Sequence, residues 1–223
     1  MRFHLVLAFS VIPGLAGCGP DATVATTRMG QDGRYQQHAD GAAFPPGTAS
    51  NAEPDDVAVL VPEGATVIDT VRGDLTGQGG SDALLVVSPE MNSSAALGEG
   101  PSRTVMLFTR DRSGRLAKSA ENSRMVPCER CGGIAGDPYG YARIHAGNVT
   151  VAISGGSRER WFDDYVFRYD PEAGTWLLDR VVRGVTDTQT GLQRQIELGE
   201  SDFGEIGFAD FDPAHLPAVA ILE

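Results

Sequence analysis

Short apolar runs broken by turn signals recur from about residue 83 onward, and where they alternate the period is two. Val149, Val151 and Ile153 alternate with Thr150, Ala152 and Ser154 behind a turn at Ala146-Gly147-Asn148, with Arg143 to His145 as the partner strand. Tyr165, Phe167 and Tyr169 repeat that spacing up to Asp170-Pro171-Glu172-Ala173-Gly174, and Thr175-Trp176-Leu177-Leu178 returns. Successive side chains of a strand point to opposite faces, so this alternation predicts hairpins with one buried face. Ala83-Leu84-Leu85-Val86-Val87 is a continuous apolar run, and Thr104 to Thr109 is a strand ending in Asp111-Arg112-Ser113-Gly114. No helical period of useful length appears beyond a turn near Ser201-Asp202-Phe203. The expected fold is all-β, with antiparallel meander sheets that are propeller-blade-like or stacked as a sandwich, and at most short helices.

The N-terminal pattern differs. Arg2 precedes the apolar run Leu5 to Leu15, which ends in Leu15-Ala16-Gly17-Cys18. That run is too short to cross a bilayer and is interrupted by Pro13 and Gly14, whereas a charged start, a short apolar segment and small residues before a cysteine describe a bacterial lipoprotein signal. The expectation is a signal peptide over 1–17 and acylation of Cys18, with more than one acyl chain anchoring the mature protein to a membrane. Residues 18–54 read as a lipidated N-terminus and flexible linker, polar and rich in Ala, Gly, Thr and Asp. If flexible, such a linker spans about 35 Å. Residues 55–223 are then one all-β domain.

Charge narrows the partners. Of 18 basic residues Arg2 lies in the signal, so 17 remain against 30 acidic ones and the formal charge of the remainder is −13. A field of that sign repels phosphate backbones, which argues against nucleic acid and leaves an envelope protein or a glycan as the expected partner. Gly19, not Asp, follows Cys18. That favours sorting to an outer membrane, facing the periplasm or the cell surface.

Two stretches carry specific chemistry. Gly73-Asp74-Leu75-Thr76-Gly77-Gln78-Gly79-Gly80-Ser81-Asp82 has the outline of a calcium loop, with oxygen-bearing residues Asp74, Thr76, Gln78 and Asp82 near the alternate ligand positions. Only Asp74 and Asp82 bring charge, so any calcium is expected to bind weakly, and the competing reading is a structural turn. Cys128-Glu129-Arg130-Cys131 holds the two cysteines that remain after Cys18. In an exported chain these are expected to form a short-loop disulfide; redox catalysis wants a helix start, and zinc wants two further ligands, for which only His145 and His215 are present in the domain. Asp163-Asp164 and Asp210 with Asp212 are acidic pairs that read as solvated strand ends or as acid and base. Arg158-Glu159-Arg160-Trp161 reads as a core Trp among surface charges or as a cation and ring for a ligand.

Gly73-Asp74-Leu75-Thr76, Cys128 to Pro138 (CERCGGIAGDP), Gly155-Gly156-Ser157 with Arg160-Trp161, Phe167-Arg168-Tyr169 with Trp176, and Phe208 to Asp212 (FADFD) occur in this order. Together they resemble exported bacterial proteins whose GD-loop is similar to the FG-GAP repeats of the integrin alpha N-terminal class. The resemblance covers most of residues 65–213 and implies an all-β fold, a calcium-type loop and no assigned reaction. At about 40 residues a blade the domain has room for roughly four, too few for a seven-bladed propeller, and the expectation is one blade-like GD unit with the remaining sheets as its partner layer. No nucleophile elbow, metalloprotease pair or phosphate loop occurs. The expected function is a non-enzymatic binding or scaffolding lipoprotein, with a CxxC-dependent thiol protein or an envelope hydrolase as the alternative.

Overall fold

The computed structural model describes residues 57–90 and 96–221. The expected signal over 1–17, Cys18 and the whole of the expected linker lie outside the described residues. Among the described residues the strands are β1 (Thr66–Gly73), β2 (Asp82–Ser88), β3 (Arg103–Arg110), β4 (Leu116–Val126), β5 (Tyr139–His145), β6 (Asn148–Gly156), β7 (Glu159–Asp170), β8 (Thr175–Asp187) and β9 (Gln193–Gly199). The only α-helix among them is one turn, α1 (Glu200–Phe203), where the sequence places a turn. The fold is all-β, as the alternation predicts.

Every neighbouring pair is antiparallel and consecutive, giving a four-stranded sheet β1-β2-β3-β4 and a five-stranded sheet β5-β6-β7-β8-β9. Register puts the alternating apolar residues of the larger sheet on one face: Val149 opposes Phe167, and Val151 opposes Tyr165, which opposes Val181. Leu84, Val86, Val105 and Leu107 of the smaller sheet join these residues in one buried cluster. The two sheets therefore share a single core.

The smaller sheet is buried on its second face as well. Ala83, Leu85, Val87, Met106 and Phe108 form a separate cluster with Val57. Burial on both faces explains why β2 is apolar without alternation. β1, β4 and β9 escape the sequence pattern for the opposite reason: they are edge strands, and most of their side chains are exposed. Nothing on their outer faces has to be apolar.

The chain after β9 closes one side of the core. Phe208 and Phe211 of the FADFD stretch are fully buried, and their rings meet Phe167 and Tyr165 edge to face at centroid distances of 4.9 Å. Asn122 of β4 fixes that stretch in place. Its amide Nδ2 donates to the carbonyls of Phe208 (2.8 Å) and Phe211 (2.7 Å), while Oδ1 accepts from the N–H groups of Arg124 (2.8 Å) and Met125 (2.9 Å). A buried amide with all four of these bonds made stabilises; removing it strands several backbone groups at once. Asn122→Ala is accordingly expected to lower stability by about 3 kcal/mol. Urea unfolding should show a lower midpoint at an unchanged slope.

Candidate functional site

The GD-loop joins β1 to β2. Desolvation raises the Asp74 carboxyl, but the N–H groups of Gly79, Thr76, Gly77 and Gln78 outweigh it and hold the group below its ordinary value. Gly79 N donates to Oδ2 at 2.6 Å, while Thr76 N (3.2 Å) and Gln78 N (3.1 Å) donate to Oδ1. Gly77 and Gly79 take φ of 76° and 88°, which brings those donors around the carboxylate and suits a residue without a Cβ. Asp82 is buried and ties the start of the loop to β3, accepting from Leu75 N at 3.0 Å and from Arg110 N at 2.9 Å.

Thr76 adds its hydroxyl to Asp74 at 3.4 Å, and Gln78 enters the same network through its backbone N–H. Three of the four residues of the expected calcium loop, Asp74, Thr76 and Gln78, are thus brought together chiefly as N–H donors and their acceptor, while Asp82 has separate partners. Donors and a cation compete for the same lone pairs, so this set fits calcium poorly. Among the described residues no group of three or more His, Cys, Asp or Glu side chains is placed to hold a metal ion.

What the loop does hold is the other sheet. Leu75 is completely buried, and its carbonyl accepts the indole N–H of Trp176 on β8 at 2.7 Å. Gly147, in the β5–β6 turn, donates to the carbonyl of Asp74 at 3.0 Å, and its own carbonyl accepts from Tyr169 N at 2.9 Å. Sequence reading missed this role because neither Leu75 nor Trp176 carries a signal for a contact 101 residues away.

The CERCGGIAGDP stretch connects β4 to β5 and so crosses between sheets. Cys128 and Cys131 stand at disulfide distance, with Cα atoms 5.0 Å apart. Cys128 is buried and Cys131 half-buried. The nearest helical turn is the three-residue 3-10 segment Gly133–Ala135, too short to supply the dipole that activates a thiol. Asp137 pairs with buried Arg103 through two bonds of 2.6 and 2.7 Å. His145 and His215 are both exposed, on β5 and on the 3-10 turn Pro213–His215.

Asp163 and Asp164 point to opposite faces, as neighbours on a strand must. Asp163 is buried and held by Arg183 through Nε (2.8 Å) and Nη2 (2.9 Å), with the Tyr165 hydroxyl donating at 2.9 Å. Asp164 is raised by desolvation and then by the Asp163 charge. Asp212 accepts from Ala214 N at 2.9 Å and caps the 3-10 turn, and it lines a second, smaller pocket together with Asp210 and His215. Arg158 donates to Asp187 at 3.0 and 3.1 Å, and Arg160 to the carbonyl of Gly156 at 3.1 Å. That leaves Trp161 of the cation-and-ring reading. Trp161 borders a cleft of about 540 Å³, together with Asp163, Tyr165, Arg183, Arg124 and Asp212.

The loop chemistry has a metal-independent consequence. Asp74→Ala is expected to cost about 1–2 kcal/mol in the presence of a chelator, since the lost bonds are to N–H donors. A carboxyl held below its ordinary value contributes stability that is complete above about pH 4 and is lost as pH falls toward its folded pKa. The variant should therefore lose less than the wild type on acidification, read by thermal unfolding between pH 6 and 2. Calcium should bind the wild type no tighter than roughly 10⁻⁴ M in calorimetry. For the cysteine pair, the oxidised protein denatured without reductant should show no free thiol at Cys128 or Cys131 in a quantitative alkylation assay.

No family model matches the chain, and no curated protein or solved structure does so either.

Proposed function

We propose that this chain is a non-enzymatic binding or scaffolding module of the bacterial cell envelope, tethered to a membrane by lipid on Cys18. The observation that carries the reading is the use made of the distinctive residues. Asp74 and Asp82 organise the GD-loop, Cys128 to Asp137 the crossing between sheets, and Phe208 to Asp212 the closure of the core. A catalytic apparatus needs a nucleophile or base within reach of a reacting atom, and these side chains are already committed to backbone donors or to arginines.

The resemblance to FG-GAP-like exported proteins agrees with this use, since a GD-loop that fastens sheets keeps the outline of a calcium loop without needing the ion. The lipobox supports the envelope as the location, and Gly19 supports the outer membrane. Among the described residues no helix is long and apolar enough to cross a membrane. The thiol alternative is less well supported, because Cys128, the first cysteine of the CxxC, is buried and no helix start lies beside it.

Mass analysis of the protein purified from cells should find an acylated N-terminus at Cys18, and Cys18→Ala should abolish membrane fractionation. Release of the intact wild type into buffer would count against the anchor. Crosslinking in intact cells should give a reproducible envelope partner that survives Cys128→Ser with Cys131→Ser, whereas a thiol activity lost in that double variant would favour the alternative.

A further inference from the structure

The Trp161 cleft has features that the structural roles above do not absorb. Gly155 is the cross-strand partner of Trp161, and Gly156 that of Arg160. A Cβ on Gly155 would stand 2.5 Å from Cζ2 and 2.9 Å from Cε2 of the indole, and one on Gly156 would stand 3.2 Å from Cδ1. The ring therefore rests on bare backbone. It is half-buried and borders the cleft, so one apolar surface is seated on the sheet while the side chain remains within reach of a ligand.

The charged groups that line the cleft, Arg124 and Arg183 against Glu159, Asp163 and Asp212, are already placed, Asp212 by Ala214 N at 2.9 Å. Asp163 is satisfied by Arg183 and Tyr165, and Arg183 also donates through Nη1 to the carbonyl of Pro217 at 3.0 Å. Arg124 donates to the carbonyl of Ala209 at 2.7 Å, and Glu159 accepts from Ile221 N at 2.7 Å. A cation at Asp163 or an anion at Arg183 would have to compete with an existing pair at short range, and one at Arg124, Glu159 or Asp212 with a backbone partner. A neutral polyhydroxyl ring does not: its hydroxyls add to the lone pairs a carboxylate has left and to unused guanidinium N–H groups, while its C–H face covers the indole. A volume of about 540 Å³ falls within the range of small-molecule sites.

We propose that this cleft binds a neutral sugar of one or two residues, with the Trp161 indole as stacking platform and the Asp163–Arg183 pair as hydrogen-bonding rim. The assignment rests on the binding-module reading and commits it to a glycan.

The chain reports on its own occupancy. Its two tryptophans are Trp161 and Trp176, and Trp176 is 1% exposed with its N–H bonded to Leu75, so a ligand-dependent change in emission belongs to Trp161. The full chain, in a detergent without a sugar headgroup, is titrated with cellobiose, N,N′-diacetylchitobiose and maltose, and at matched ionic strength with choline and inorganic phosphate. The expected result is a saturable change with at least one disaccharide, with a dissociation constant on the order of 1 mM, and none with choline or phosphate. Calorimetry follows the variants, which remove the reporter: affinity should fall more than about tenfold in Trp161→Ala and only a few-fold in Trp161→Phe, which keeps a ring and guards against misfolding. Disaccharide binding undiminished in Trp161→Ala would overturn the location. Binding of choline or phosphate but of no disaccharide, or of no probe at all to the folded wild type, would overturn the sugar. A crosslinked partner found alongside that last result would leave the module reading standing and remove this one.

Discussion

The bond between the Trp176 indole and the carbonyl of Leu75 fastens two sheets that share no hydrogen-bonded ladder. Four and five strands are each enough for a stable meander only if an apolar face is covered, and here each sheet is the other's cover. Face-to-face packing is non-directional, so burial alone does not set how the layers sit. A buried donor with a single acceptor does set it, because sliding either sheet leaves the indole N–H and the Leu75 carbonyl unpaired in the core. The Asp74 loop exists to hold that carbonyl in position. Its N–H groups converge on one carboxylate, and Gly147 N locks the other sheet's turn to Asp74's own carbonyl.

Two further fasteners act at other points of the join. Asn122 ties β4 to the stretch that carries Phe208 and Phe211, and Arg103 ties the start of β3 to Asp137. The second is electrostatically demanding. Arg103 is 1% exposed and its Nε has no hydrogen-bond partner, whereas the Asp137 side chain is 43% exposed. A pair with one partner so deeply desolvated contributes little net stability when intact and costs much when broken, so its effect is to penalise other arrangements of the crossing. The Cys128–Cys131 link shortens the same crossing from the other side, and the three restraints together fix a connection that no ladder could.

Legibility in the sequence followed burial. Where one face of a strand is covered, as in Val149 to Ile153 and Tyr165 to Tyr169, alternation marks both the strand and its inward face. Where both faces are covered, as in β2, the run is plain but its direction is not, and where only the end of a strand is covered, as at Ile196 and Leu198 of β9, the apolar trace is too short to mark it. The GD-loop and the CxxC stretch were visible as motifs because their glycines and carboxylates are local. Their purpose was not visible, since it lies in contacts with Trp176, Gly147 and Arg103 at long separation. The cleft was illegible for the same reason: β4, β6, β7, β8 and the C-terminal stretch, far apart in the chain, all line it.

Fastening and binding meet at the glycine pair. Gly156 N donates to the carbonyl of Gly132 at 2.9 Å, and a Cβ on Gly155 would come within 2.9 Å of that same oxygen as well as into the Trp161 ring. The backbone under the indole is therefore held by the residue that follows Cys131, whose carbonyl lies on the same side of Gly155 as the ring. Binding at a preformed surface loses less conformational entropy than binding that must order its own platform, and small ligands with few contacts depend on that saving. A Cβ at Gly155 would displace both the ring and the Gly132 carbonyl, so the seating of Trp161 and the close approach of the crossing depend on one residue.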